Sequence, residues 1–329
     1  MGIKNQTNRK HLTYDKIESI ELMLGELVAR RHAIGAIYIR MISKPIGQNM
    51  NTQTNVTVLE GPNSRPDIRP PLRWWGGKYY IAPKIISLFP AHDRYVEPFA
   101  GAASVLLNKP EGEDYYNDLD HRVTRLFRVL RDDGDELVRR LKLSPYSEAE
   151  FRDCCGPTPD GADEIELARR DFVRWRMSRD GDGTTLATPA KRSRRGLANN
   201  VAAFLSAIDM ELPKIVDRLR GVEILCRPAL DVIRQLDSPT TLVYADPPYP
   251  HGSRAKGATD VYAHEMSDND HRELARVLHA IKGKALISSY HCTLYDGLFA
   301  DWRLVEIPKK KDVGNGPKAD AVECVWLNF

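Results

Sequence analysis

From Leu72 to the C-terminus, short apolar runs alternate with stretches in which apolar residues recur every three or four positions. The runs Tyr95–Phe99, Tyr115–Asp118, Val222–Cys226, Thr241–Ala245, Lys284–Ser289, Arg303–Ile307 and Val322–Phe329 carry the composition of buried strands, which predicts a seven-stranded sheet. Helical periodicity fills most gaps between them, as at Asp120–Leu130, Arg227–Leu236 and Asp268–Ile281. Strands that are apolar on both faces and alternate with helices predict a parallel, doubly wound α/β sheet. Only Pro308–Ala321 separates the last two runs, too little for a helical crossover. They are expected to form an antiparallel hairpin at the end of the sheet.

One interval breaks the alternation. Arg122–Leu219 reads as helical, with interruptions at Gly156–Asp163 and Asp180–Ala190, and is far longer than an ordinary crossover. The expected organisation is therefore a domain made of residues 72–121 and 220–329, split by an inserted helical subdomain at 122–219. Residues 1–71 read as an N-terminal extension and Pro-rich linker: an amphipathic helical pattern at Asp15–Arg31 precedes the prolines Pro62, Pro66, Pro70 and Pro71.

The length of 329 residues exceeds what one core usually fills, in keeping with a main domain plus an attachment. A hydrophobic share of 42% supports a packed core, and no long uncharged apolar run suggests a membrane span. The five cysteines are odd in number and form no Cys-x-x-Cys pair, so a zinc site and a secreted disulfide framework are not expected. A reduced cytoplasm fits that usage. The net charge of +3 is too small to name a polyanionic partner, and any such reading must rest on local clusters.

Two motifs carry chemistry. The first is Val96-Glu97-Pro98-Phe99-Ala100-Gly101-Ala102-Ala103-Ser104, a strand turning into small residues that let a ligand approach the backbone at a strand's carboxyl end. Asn117-Asp118 ends the next strand, where an acidic side chain typically takes ribose hydroxyls. The fingerprints GxGxxG and GK[ST] are missing, which disfavours NAD and ATP. Plain packing of a small-residue turn explains the segment equally well.

The second is Asp246-Pro247-Pro248-Tyr249, directly after the apolar run Thr241–Ala245. With proline near 5% of residues, chance supplies this tetrapeptide on the order of once per several hundred such chains. A planar exocyclic amine has its lone pair delocalised into the ring, so its alkylation needs acceptors for both N–H groups. Asp246 offers a carboxylate, the Pro247 carbonyl held by Pro248 a second acceptor, and Tyr249 a stacking face. Upstream, Leu72-Arg73-Trp74-Trp75-Gly76-Gly77-Lys78-Tyr79 places tryptophans, a glycine pair and a lysine where they can pack a cofactor or simply cover the sheet.

Arg73-Trp74-Trp75-Gly76-Gly77-Lys78, Glu97-Pro98-Phe99-Ala100-Gly101, Asn117-Asp118 and Asp246-Pro247-Pro248-Tyr249, in that order, resemble the Dam-type DNA adenine N6-methyltransferases, especially short phage and prophage members. The resemblance covers about Leu72–Phe329. It implies a Rossmann-like seven-stranded methyltransferase sheet with an inserted target-recognition subdomain, S-adenosylmethionine (AdoMet) as methyl donor and double-stranded DNA as substrate. It also implies cofactor contacts at Trp74, Lys78, Glu97, Pro98, Phe99, Gly101, Asp118 and Asp246, with catalysis at Asp246, Pro247, Pro248 and Tyr249. Ala103 departs from the pattern, standing where the family often has a second glycine. No metal and no membrane are implied; a cognate restriction enzyme and a monomeric cytoplasmic protein are the remaining expectations.

Basic residues crowd the helical interval: Arg169, Arg170, Arg174, Arg176, Arg179, Lys191, Arg192, Arg194 and Arg195, with Trp175 among them. Arginine and lysine bind phosphates, and arginine also reads guanine edges. Arg174, Arg176, Lys191, Arg192, Arg194, Arg195, Arg254 and Lys256 are the expected DNA contacts, the last two on the loop after Tyr249; Lys309–Lys318 is a further candidate loop. An amine inside the base stack is reachable only after flipping. Methylation of cytosine N4 or of an RNA base, and a catalytically silent DNA-binding scaffold, are the competing readings. His291-Cys292, Cys154-Cys155 and His264-Glu265 read as structural.

Overall fold

The computed structural model describes residues 56–59, 66–74, 76–181, 183–187, 193–194, 197–254, 263–310 and 320–329. The expected helix at Asp15–Arg31 lies outside them. Among the described residues ten strands are present: β1 (Val56–Val58), β2 (Arg94–Glu97), β3 (Glu113–Asn117), β4 (Ser193–Arg194), β5 (Leu197–Ala198), β6 (Val222–Leu225), β7 (Thr241–Ala245), β8 (Lys284–Ser289), β9 (Arg303–Lys310) and β10 (Asp320–Leu327). Eight build one sheet in the order β1-β9-β10-β8-β7-β2-β3-β6, and β4 pairs β5 in a small antiparallel ribbon.

All neighbours in the main sheet run parallel except β10, which is antiparallel to both β8 and β9. Side chains alternate across it as strand geometry requires. Tyr95, Leu242, Tyr244 and Leu286 pack on one face, and Val96, Val243, Ala245, Ala285 and Ile287 on the other. Both faces are covered, which explains why these strands read as unbroken apolar runs. The helices His121–Asp132, Ala229–Leu236 and Asp268–Ala280 stand within a residue or two of their predicted spans.

Two expectations need correction. The sheet has an eighth strand, and the C-terminal hairpin is not its edge. β1 pairs in parallel with β9 through Val56↔Leu304, Thr57↔Val305 and Val58↔Glu306, and the Leu59 N–H continues the ladder to the Glu306 carbonyl at 2.9 Å. Three residues in a polar, proline-flanked stretch carry no periodicity, so this strand is invisible to pattern; an unpaired β9 edge gives it a place to bind.

Between β3 and β6 the chain forms helices His121–Asp132, Gly134–Lys142, Glu148–Cys155, Glu164–Met177, Asn199–Ser206 and Leu212–Leu219, with one π turn at Ala207–Glu211. Side-chain caps start three of them: Asp120, Ser147 and Asp163 each accept a backbone N–H of the first turn. Their apolar faces join the core that includes Tyr95 and Tyr116 through Phe127, Leu137, Phe172, Phe204 and Ile215.

Candidate active site

At the carboxyl ends of β2, β3, β6 and β7 lies a cavity of about 400 Å³, within the range of small-molecule sites. Glu97–Val105, Asp118–Asp120, Arg227–Leu230, Asp246 and Pro248 line it, together with Trp74, Gly76, Gly77 and Lys78. This is where open α/β sheets bind ligands.

Backbone geometry shapes its floor. Gly101 stands at φ +47°, and a side chain there would put a carbon 2.5 Å from the Trp74 Nε1. Only glycine allows the indole to lie against this turn. Ala103, at φ 55°, is the one described non-glycine residue in the left-handed region. Its methyl is accommodated at 1% exposure, so the departure from the family's glycine is tolerated at the expense of a strained backbone.

Asp118 is held by neighbours in sequence. Its Oδ2 accepts the Gly101 N–H at 2.8 Å, and its Oδ1 accepts the Asp120 N–H at 2.9 Å. Burial raises its pKa, partly offset by those two donors. Beside it, Asn117 is fully buried; its amide donates to the carbonyls of Pro98 (2.9 Å) and Arg227 (3.0 Å), and its Oδ1 accepts the Arg227 N–H at 3.0 Å. One side chain thus ties together the ends of β2, β3 and β6. Glu97 lies deeper, accepting the Tyr95 hydroxyl at 2.6 Å. Burial pushes its carboxyl up to about 8 despite that bond.

Asp246 is held differently. Its Oδ2 is 2.7 Å from Lys78 Nζ, and its Oδ1 accepts the Ser288 hydroxyl at 2.8 Å. Burial raises its pKa, Lys78 opposes that, and nearby Glu323 adds to it. Lys78 also donates to the Gly76 carbonyl at 2.8 Å and lies over the Tyr249 ring, 5.0 Å from its centroid. The resemblance implies a cofactor contact at this lysine; in the structure it lines the cavity while its ammonium pairs with Asp246. Pro247 and Tyr249 are buried, and the Tyr249 hydroxyl donates to Glu323.

The sequence motifs alone do not point to the clamping role of Asn117, nor to four further residues near Asp246 or the cavity: Arg227, Pro228, Ser288 and Glu323. Arg227-Pro228 follows a predicted strand, so the rule that ligands bind at strand ends points to it. A lone glutamate inside the apolar run Val322–Leu327 is a signal for Glu323. Ser288 carries none.

The basic residues divide. Arg176 is 9% exposed, donates to the Ala203 carbonyl at 2.9 Å, and burial together with Arg73 and Arg69 pulls its pKa down to about 10. It belongs to the packing of the helical region rather than to its surface. Arg170 is likewise buried against Asp153, and Arg169 is engaged by Glu150 and Glu166. Arg174 is half-buried, 3.5 Å from the Gly183 carbonyl. Arg254 forms a two-bond pair with Glu265 and donates to the Tyr249 carbonyl at 2.8 Å, so it braces the Asp246–Tyr249 turn. Arg194 lies on β4; Lys191, Arg192, Arg195 and Lys256 lie outside the described residues. Against the cavity, Trp74 meets Trp175 edge-on at 5.9 Å, and Gly181 lies so close to the Arg73 carbonyl that a side chain there would meet it at 2.3 Å. Arg73 and Trp74 therefore connect the cavity to the end of helix Glu164–Met177.

Similarity to known proteins agrees with this geometry. Over 252 residues, 70% of this chain and 85% of the relative, it is 21% identical to a DNA adenine methylase of Serratia marcescens. A DNA adenine methylase of Salmonella typhi is 24% identical over 220 residues, 63% of this chain and 74% of the relative. A type II methyltransferase of Lactococcus lactis subsp. cremoris is 22% identical over 279 residues, covering 80% of this chain and 96% of the relative. The profile of the D12 class matches residues 74–313, which spans the motifs described above from Trp74 through Tyr249. This chain belongs to the D12 class of N6 adenine-specific DNA methyltransferases and is a site-specific DNA adenine methyltransferase.

Proposed function

We propose that the methyl donor is AdoMet, that it is held in the cavity between Trp74, Glu97 and Asp118, and that Asp246, Pro247 and Tyr249 hold a flipped adenine beside it. The cavity's own chemistry supports this reading. Six carboxyl-bearing residues (Glu97, Asp118, Asp120, Asp246, Glu265 and Asp270) line it against Lys78 and Arg227. An acidic cavity suits a donor whose sulfonium and ammonium outweigh its one carboxylate. When bound, the donor supplies a methyl group on a good leaving group. Asp118 takes the ribose hydroxyls with its remaining lone pairs, and Pro98, Phe99 and Gly101 form the floor.

At the other end, Asp246 accepts one N–H of the adenine amine and the Pro247 carbonyl the second. Both favour a nitrogen whose lone pair points at the methyl group. The new C–N bond would form as the methyl–sulfur bond breaks, the electron pair leaving with sulfur as a neutral thioether; Asp246 stabilises the charge that develops on the nitrogen, and the extra proton then passes to solvent. Tyr249 stacks the base on the ring face away from Lys78. Lys78 orients Asp246 by taking one of its oxygens, and Ser288 fixes the other.

DNA is recognised by the helical interval 122–219. Arg174, Lys191, Arg192, Arg194 and Arg195 supply phosphate or base contacts there, and Lys256 does so on the loop after Tyr249. Arg176 and Arg254 act from within, by holding those elements in place. No described helix is long and apolar enough to cross a membrane, and a monomer working in the cytoplasm fits the reading. A cognate restriction enzyme is a second reading, favoured by the likeness to the Lactococcus type II methyltransferase.

The observation that carries the proposal is the placement of Asp246 on the cavity wall, pinned by two side chains at the end of β7. It is tested by incubating the protein with AdoMet and adenine-unmethylated DNA and analysing nucleosides by mass spectrometry. N6-methyladenine is expected from the wild type, and Asp246→Ala should lose at least about 10²–10³-fold in turnover. Substantial turnover by that variant would remove the assigned role.

A further inference from the structure

Glu323 sits in the middle of β10 at 0% exposure, with apolar Cys324, Val325 and Trp326 following it. Burying a carboxylate is unfavourable unless its partners compensate. Here the partners come from three segments distant in sequence. The Tyr249 hydroxyl donates to Oε1, Lys309 on β9 donates to Oε2, and Lys78 Nζ lies 3.5 Å from Oε1. Lys78 is also the ion-pair partner of Asp246, so two carboxylates from different strands share one ammonium. Tyr290 completes the cluster: its ring meets Tyr249 edge-on at 5.1 Å and lies 4.8 Å from Lys309 Nζ.

We propose that Glu323 is a positioning residue for methyl transfer, anchoring Tyr249 by its hydroxyl and dividing Lys78 between two carboxylates so that Asp246 keeps an acceptor position for the amine. This rests on the reading of Asp246 as that acceptor. The ring of Tyr249 can present one fixed plane to a base only if its far end is tied down, and Glu323 is the tie. The charge pattern gives the second half of the argument. Facing Asp246 are Lys78 before the helix Ala82–Ile86, Glu323 on β10, Glu97 on β2, Ser288 on β8, Tyr244 on its own strand, and Tyr249 and Tyr295. Lys309 acts on this group through Glu323. Two ammoniums balance two carboxylates. If Glu323 is neutralised, Lys78 turns wholly to Asp246, occupies its lone pairs and makes its carboxyl more acidic.

The test compares initial rates of DNA methylation by the full chain across pH for wild type, Asp246→Asn, Glu323→Gln, Tyr249→Phe and the last two combined. Glu323→Gln should lower kcat by about 10- to 100-fold, the weight of a lost charge-assisted hydrogen bond. The KM for AdoMet should stay within about threefold, since Glu323 does not line the cavity. The acid limb of the kcat profile should move to lower pH, because a negative neighbour of Asp246 has gone. The double variant should lose no more than Glu323→Gln alone, as expected when one residue acts through the other. A wild-type kcat, an unmoved acid limb, or independent losses in the double variant would each overturn the proposal. Where Glu323→Gln fails to melt cooperatively, Lys309→Met replaces it: loss of that cation should move the acid limb upward, and an unmoved limb overturns the proposal. Failure of the underlying reading looks different, with no N6-methyladenine from the wild type or full rate from Asp246→Asn.

Discussion

The two ends of the cavity hold their carboxylates by different means. Asp118 is fixed by backbone N–H groups of Gly101 and Asp120, one of them two residues away. Asp246 is fixed by side chains, Lys78 and Ser288, that lie 168 and 42 residues away in the chain. A backbone cradle is rigid and tolerates changes in surrounding side chains. A side-chain cradle is adjustable: its charges move with protonation, and any one substitution redistributes them. The Asp118 end is thus built as a fixed socket and the Asp246 end as a poised electrostatic cluster.

Substitutions that exchange these properties should separate the ends kinetically. Asp118→Asn has the largest expected effect of these. Both carboxylate oxygens there face N–H donors, so an amide must turn its own N–H₂ toward one of them. Losing a bond and leaving a buried donor unsatisfied costs about 1–3 kcal/mol, so the KM for AdoMet should rise about 10- to 100-fold with kcat nearly kept; a fall in kcat at unchanged KM would erase the distinction.

Glu97 lies between the two ends and gives a pH signature. Its carboxyl, pushed up to about 8 by burial, is protonated in the free protein at neutral pH. A cationic ligand favours the ionised form, so binding releases a proton. AdoMet affinity should rise as pH approaches 8, by at most about tenfold per unit, and level off above it. The same raised value makes the free protein lose stability as pH climbs from the ordinary glutamate range through 8. Isothermal titration and thermal melts at several pH values measure both slopes, and Glu97→Gln should flatten them.

Ala103→Gly has the smallest expected effect. It relieves a left-handed alanine, worth about 1–2 kcal/mol, but restores freedom to the unfolded chain and removes a buried methyl. These nearly cancel, and a stability change within about 1 kcal/mol is expected from denaturant titration. A larger gain would mean that the turn is more strained than its neighbours suggest.

What was legible in the sequence follows the same division. The apolar runs gave seven strands of the main sheet, because both-face burial leaves a pattern that survives without coordinates. Asp118 and Asp246 were visible because each ends such a run beside small or proline residues. Lys78 was visible as a residue but its partner was not, since nothing in Gly76-Gly77-Lys78 points 168 positions downstream. Ser288 and Glu323 join the site only through sheet neighbours, β8 beside β7 and β10 beside β8. The cationic cluster of the helical interval shows the opposite failure. Composition counts Arg169, Arg170 and Arg176 as surface charge, but helix packing buries or pairs them. β1 was missed because three residues cannot display a period.

That last strand has a practical meaning. The region matched to the D12 class begins at residue 74, so a chain shortened only from its N-terminal side to that residue would lack Val56–Val58 and uncover the outer backbone of β9. An open row of N–H and C=O groups on a strand eight residues long is a template for pairing with another molecule. The short upstream strand covers part of that edge, and a protein shortened in this way is expected to self-associate more readily than the full chain.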